Sequence, residues 1–232
     1  MESQFRTRVK ICCISSLEEA QLAIRLGADA LGLVGRMPSG PGVVDDALAA
    51  LIVQATPPPL ATFMLTSEMT TDEIIAHQRR VGANTIQIVD AVSPETYAQL
   101  HQALPTVKLV QVIHVIDERN IDEALKAVHD GADALLLDSG NPTLTVKELG
   151  GTGRVHNWEI SRQIVGQSPV PVFLAGGLNP QNVRQAIDTV QPFGLDICSG
   201  VRTNGQLDRH KLEAFMNGVR GEARGIKVRR SR

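Results

Sequence analysis

The chain has 232 residues, 43% hydrophobic and 21% charged, the make-up of a globular protein large enough for one full core. Its 23 basic and 25 acidic residues leave a formal charge of −2, without the basic surplus that nucleic-acid binding demands, and 5 Phe, 1 Trp and 1 Tyr provide few rings for stacking bases. No apolar run approaches the roughly 20 residues of a membrane span, and the opening stretch MESQFRTRVK has no apolar signal core, so a cytoplasmic protein with no membrane partner is expected.

Short, nearly continuous apolar runs rich in Val, Ile and Leu recur along the chain, the pattern of strands buried on both faces of a parallel sheet. The first is Val9–Cys13. Ser15 and Ser16, followed by Glu18 and Glu19, open a helix that Gly27 stops. Strands Ala30–Val34 and Ala61–Leu65 come next, then a helix from Thr71, Asp72 and Glu73 to about Gly82. Strand Thr85–Val89 leads to Ser93, an N-cap with Pro94 at the first helical position. Strands Leu109–Val115, Ala134–Leu137 and Val170–Leu174 follow; Asn179–Pro180 repeats the cap-and-proline device, and Leu195–Cys198 is the last run, with a final helix beyond Val201. Two phrases recur, LGADAL at Leu26–Leu31 and DGADAL at Asp130–Leu135, each joining a helix end, a glycine stop and a strand.

Eight strands with intervening helices predict a single-domain (β/α)8 TIM barrel over residues 1–221. A doubly wound open sheet is the rival, but its usual G-x-G-x-x-G turn is replaced after the first strand by Cys12-Cys13-Ile14-Ser15. Residues 222–232 read as a basic, disordered tail.

In a barrel the reactive groups belong at the C-terminal ends of the strands. Strand alternation lets at most one of Cys12 and Cys13 face the mouth. Both are small enough to be buried hydrophobes, yet a thiol here also suits a base or nucleophile, with Lys10 on the same face to supply a positive field. Three cysteines make neither a disulfide framework nor a metal-ligand spacing, so free thiols are expected. Asp138 follows a buried strand and is either a loop cap or an acid needing a partner. His114 is a ligand contact or a hydrogen-bonded core imidazole; His77, His101 and His129 fall in predicted helices and are assigned to solvated faces. Glycine stretches at Gly150-Gly151-Thr152-Gly153, Gly176-Gly177 and Ser199-Gly200 suit backbone cradling of a phosphate, the last two after strands seven and eight. The expected ligand is a phosphorylated small molecule.

From Val9 to about Phe215 the chain resembles the phosphoribosylanthranilate isomerase family of tryptophan synthesis. The likeness is carried by Lys10-Ile11-Cys12, LGADALG from Leu26, Leu136-Leu137-Asp138-Ser139, Gly150-Gly151-Thr152-Gly153, LAGGLNP from Leu174, and Gly194-Leu195-Asp196 leading to Ser199-Gly200-Val201. The resemblance implies an Amadori rearrangement of a phosphorylated N-aminosugar to an aminoketone, needing neither metal nor organic cofactor, in a monomer or homodimer. It implies Cys12 as base and Asp138 as acid, with Gly151, Gly153, Gly176, Gly177, Ser199 and Gly200 around the phosphate and Lys10 and Gln87 lining the site. The sequence departs from the family at four places. Cys13 replaces the Gly of K-I-C-G; the S-P-R that grips the anthranilate carboxylate is replaced by Pro38-Ser39-Gly40-Pro41-Gly42; Q-L-H-G becomes Gln87-Ile88-Val89-Asp90; and Arg202 stands where an acidic residue is usual. These losses cluster where the aromatic half of the substrate belongs. Two alternatives therefore stand beside the first: an isomerase for another phosphorylated aminosugar, and a non-catalytic sugar-phosphate-binding barrel.

Overall fold

A computed structural model describes residues 6–38, 40–140 and 155–221. Strands β1 (Arg8–Ile11), β2 (Ala30–Val34), β3 (Ala61–Thr66), β4 (Thr85–Ile88), β5 (Lys108–His114), β6 (Ala134–Asp138), β7 (Val172–Leu174) and β8 (Gly194–Ile197) pair in parallel and in sequence order. β8 returns to β1, with Arg8 opposite Gly194 and Ile11 opposite Ile197, so the sheet closes and has no free edge. Outside it lie α1 (Leu17–Arg25), α2 (Asp46–Ala55), α3 (Thr71–Val81), α4 (Pro94–Ala103), α5 (Arg119–Asp130), α6 (Trp158–Gln167), α7 (Val183–Val190) and α8 (Arg209–Arg220). A 3-10 turn (Ser199–Val201) and a small hairpin, β9 (Arg202–Thr203) with β10 (Gln206–Leu207), separate β8 from α8. The protein is a single-domain (β/α)8 barrel. The reading of 222–232 as a tail falls outside the described residues, as do Gly150, Gly151 and Gly153.

Local chemistry explains the elements. Ser16 Oγ accepts from Glu19 N, and the Glu19 carboxylate accepts from Ser15 N, a reciprocal cap that starts α1. The repeated GADAL phrases perform the same step twice. Asp29 donates its N–H to Val9 O at 2.8 Å and accepts Val9 N at 2.9 Å; Asp133 does the same with Leu109 at 2.8 and 2.9 Å. Each carboxylate thereby extends the strand pairing at the bottom of the barrel. The Asn179–Pro180 device does not start a helix, because Asn179 Oδ1 accepts from Gln181 N and Asn182 N, closing a turn, and α7 begins at Val183.

Two apolar layers result. Residues alternating outward from the strands, such as Ile11, Leu33, Ile86 and Leu137, pack under the helices, while Ala30, Phe63, Val110, Leu136 and Phe173 fill the interior. Phe63 and Phe173 meet edge to face at 5.7 Å. Glycine makes room for bulk: a Cβ on Gly194 would lie 2.6 Å from the Phe173 ring. His77 contradicts its assignment to a solvated face. It is buried between α3, α2 and the end of β3, with Nδ1 3.1 Å from Thr66 Oγ1 and Nε2 3.3 Å from Asp46 Oδ1, over Gly35. Burial pushes its pKa below the usual imidazole range, against the pull of Asp46.

Candidate active site

The interior changes character towards the C-terminal ends of the strands, where a set of ionisable groups replaces the hydrocarbon. Lys10 projects inward from β1 and is fully buried. Its Nζ meets Asp196 Oδ1 of β8 at 2.8 Å and lies 5.2 Å from the centre of the Phe63 ring. Burial disfavours the ammonium, but Asp196 and Cys12 outweigh it and hold the pKa above the usual lysine value. Lys10 therefore stays charged beneath the mouth. It does not stand at the rim as a phosphate ligand would, because its ammonium is enclosed and occupied by Asp196.

Cys12 lies one residue beyond β1 and continues its pairing, donating its N–H to Ile197 O at 2.8 Å. Its sulfur and the Lys10 ammonium share the space left by Gly32, whose missing Cβ would lie 2.8 Å from Sγ and 2.9 Å from Nζ. That glycine is required by close approach, not by backbone conformation. Asp138 ends β6 with its carboxylate 9% exposed and Oδ1 accepting from Ser139 N at 2.7 Å. Burial holds it above the usual carboxylate range and the Asp196 charge adds to this, against the Ser139 N–H, His114 and Lys10. A base candidate and an acid candidate whose burial favours its protonated form thus share one Lys10–Asp196 pair.

The neighbouring strands contribute acceptors. His114, opposite Asp138 in the β5–β6 register, donates from Nε2 to Val89 O at 3.1 Å, which leaves Nδ1 without a partner among the described residues. That Nδ1 and Gln87 Oε1 are both buried and meet no hydrogen-bond donor. His114 is thus a core imidazole at one nitrogen and available to a ligand at the other. Gly176 and Gly177, with φ of 78° and 64°, follow β7 in consecutive left-handed conformations. Gly177 O accepts from Asn182 Nδ2 at 2.9 Å, while the N–H groups of both glycines meet no backbone acceptor among the described residues. Gly200 sits so close that a Cβ would lie 2.0 Å from Leu178 O, which brings the turns after β7 and β8 into one cradle. The structure therefore brings together Lys10, Cys12, Gln87, Asp138, Gly176, Gly177, Ser199 and Gly200 at one end of the barrel.

A family model described as N-(5'phosphoribosyl)anthranilate (PRA) isomerase matches residues 9–218. The chain belongs to the phosphoribosylanthranilate isomerase family. It is 35% identical over 217 residues to N-(5'-phosphoribosyl)anthranilate isomerase 2 of Methanosarcina mazei, covering 93% of this chain and 95% of that one. The Pyrococcus furiosus phosphoribosylanthranilate isomerase structure superposes with a TM-score of 0.78 at 27% identity, covering 93% and 99% of the two chains. A phosphoribosylanthranilate isomerase in complex with reduced 1-(o-carboxyphenylamino)-1-deoxyribulose 5-phosphate gives 0.74 at 26%, with 93% and 99% covered.

Against the phosphoribosylanthranilate isomerase pattern, the departures acquire structural reasons. Cys13 has φ +61°, the left-handed backbone for which the family glycine is suited. Because β1 ends at Ile11, strand alternation no longer applies, and both cysteines join the interior cluster, against the expectation that at most one would. The side chain of Cys13 lies over Gly42, whose Cβ would come within 2.4 Å of the Cys13 Cβ. Arg202 bonds Glu19 at 2.8 Å and donates to Cys13 O at 2.5 Å and Cys12 O at 3.2 Å. From the loop that replaces S-P-R, Met37 is the side chain packed against the interior; Arg36 is exposed. Sequence reading missed Asp196 as a site residue, although its i, i+2 spacing with Cys198 on one face of β8 was a usable signal. It also missed His156, whose Nε2 lies 2.7 Å from Ser161 Oγ and whose Nδ1 lies 3.1 Å from a Cβ built on Gly176. Burial pushes His156 down to about 4, so it is neutral.

Proposed function

We propose that the protein catalyses the Amadori rearrangement of phosphoribosylanthranilate, an isomerisation of a phosphorylated N-aminosugar to an aminoketone in tryptophan synthesis. Asp138 donates its proton to the ribose ring oxygen, and the ring opens to an iminium. The Cys12 sulfur, beside the Lys10 ammonium, takes the C2′ proton, and the resulting enolamine tautomerises to the ketone. Gln87 Oε1 and His114 Nδ1 accept from sugar hydroxyls, and the amides around Gly176, Gly177, Ser199 and Gly200, together with Gly151 and Gly153, hold the phosphate.

The observation that carries this reading is the buried Asp138 carboxyl and the Cys12 sulfur set around one buried ammonium. The deciding experiment follows the fluorescence of phosphoribosylanthranilate on adding the protein. Loss of fluorescence that Cys12→Ser slows at least 100-fold supports the reading; no loss at micromolar protein refutes it.

The lack of an arginine in Pro38–Gly42, where the family carries S-P-R, favours a second reading, in which the substrate lacks the anthranilate carboxylate. An aniline analogue of the substrate, turned over at least as fast as the anthranilate compound, distinguishes it.

A further inference from the structure

Two thiols that the reaction does not use meet at the end of β8. Cys13 Sγ and Cys198 Sγ are 2.6 Å apart, in direct sulfur–sulfur contact. The strands bring them there: Ile11 pairs with Ile197, Cys12 N bonds Ile197 O, and the left-handed backbone of Cys13 turns its side chain back over the end of β8. Sulfur contact made by the bend at Cys13, rather than strand register, selects this pair, and the adjacent Cys12 and Cys13 are separated by only about 3.8 Å between Cα atoms.

The environment divides the two chemically. Cys198 is half-buried, Cys13 is buried at 6%, and Cys12 at 5%. The Arg202 guanidinium, held by Glu19, lies close enough to act on both Cys198 and Cys13. Contact with Cys13, helped by Arg202, pushes the Cys198 thiol below its usual pKa, while contacts with Cys12 and Cys198 push Cys13 up. The more accessible sulfur is thus the one that ionises, with a protonated thiol already against it.

We propose that Cys13 and Cys198 form a reversible disulfide when the protein meets a hydroperoxide, taking the oxidising equivalent at the rim and leaving Cys12 as a thiol. The Cys198 thiolate attacks the peroxide oxygen and becomes a sulfenic acid, and the peroxide leaves as an alcohol, or as water when the oxidant is hydrogen peroxide. Cys13 sulfur then attacks Cys198 sulfur, the S–O bond breaks, and water leaves with the Cys13 proton. Two thiols have lost two electrons and two protons, and a dithiol returns them by exchange.

The full-length protein is treated with one equivalent of hydrogen peroxide, denatured in iodoacetamide and mapped by peptide mass. The expected product is 2 Da lighter, joins the Cys13 and Cys198 peptides, carries an alkylated Cys12, and reverts in dithiothreitol. Cys198→Ser, a near-isosteric change, should give no crosslink and should oxidise Cys12 at least tenfold faster than wild type. A crosslink to Cys12, or Cys13 and Cys198 both alkylated when Cys12 is already oxidised, overturns the proposal. Because the thiol map requires no turnover, its outcome is separate from that of the isomerase assay.

Discussion

Replacing Asp196 with Asn is the sharpest test of how the barrel tolerates charge at its centre. The change keeps shape but removes the carboxylate that Lys10 meets at 2.8 Å, leaving a fully buried ammonium to bear its desolvation alone. Removing one partner of a buried pair costs about 3–5 kcal/mol, a large share of the roughly 5–15 kcal/mol that stabilises a domain. A denaturation slope of about 3 kcal/mol/M in urea converts that into a midpoint lowered by about 1–1.7 M. Lys10 then sheds its proton at a lower pH, since Asp196 is the first-ranked influence opposing burial. Cys12 loses the adjacent cation, and kcat falls at least tenfold. Lys10→Met combined with Asp196→Leu removes both charges. It should recover stability to within about 1 kcal/mol of wild type while remaining inactive. Urea unfolding followed by circular dichroism and the fluorescence assay read the two effects separately. A midpoint shift below about 0.3 M for Asp196→Asn, or a double variant as unstable as the sum of the singles, would refute the argument.

Further outcomes follow from the same geometry. Cys12→Ser lowers kcat by about 10²–10⁴-fold and leaves the urea midpoint nearly unchanged, since the replacement matches in size. Because burial holds the Asp138 proton above the usual carboxylate range, kcat/KM falls as pH rises through that raised value, which a pH–rate profile will record. His156 is neutral in the fold down to about pH 4 but binds a proton near 6.5 when unfolded. Its contribution to stability is present above pH 6.5 and lost as pH falls towards 4, by roughly 3 kcal/mol at most; His156→Gln should flatten that slope in urea titrations. Arg202→Met strands the Glu19 carboxylate and two backbone carbonyls, and should lower stability by about 3 kcal/mol by the same assay.

The barrel was legible because its strands are short apolar runs with little competing signal. Ala30–Val34 matches to the residue, and the ends of the other strands shift by one or two. Cys12 and Asp138 were read as candidates because strand ends are where barrels carry chemistry, and their positions at the ends of β1 and β6 were legible. Less could be read where a residue's role depends on distant partners. Asp196 reads as an isolated acid on β8 until closure sets it against Lys10, 186 residues away. His77 carries helical spacing, but its burial follows from the packing of α3 on α2 over Gly35, which no local pattern encodes. The Asn179–Pro180 pair failed for a local reason: an Asn side chain can close a turn or cap a helix, and here Asn182 Oδ1 accepts from Asn179 N while Asn179 Oδ1 accepts from Asn182 N, locking the turn.

Three departures from the family pattern form one structural unit. A left-handed Cys13 costs about 1–2 kcal/mol relative to glycine, and its side chain needs space that an ordinary loop residue would occupy. Gly42 supplies the space, and the Arg202 guanidinium binds the Cys13 and Cys12 carbonyls of that bend. Charge-assisted bonds of this kind contribute about 1.5–3 kcal/mol each, enough to offset the backbone strain. Glu19 anchors the same guanidinium while accepting from Ser15 N and Leu207 N, so the start of α1 and the hairpin after β8 are held to the end of β1. The altered loop after β2 is therefore tied to the altered residues at 13 and 202. The altered contacts gather at the ends of β1 and β8, on either side of the Ser199–Val201 turn, and the Lys10–Asp196 pair beneath Cys12 and Asp138 lies outside them.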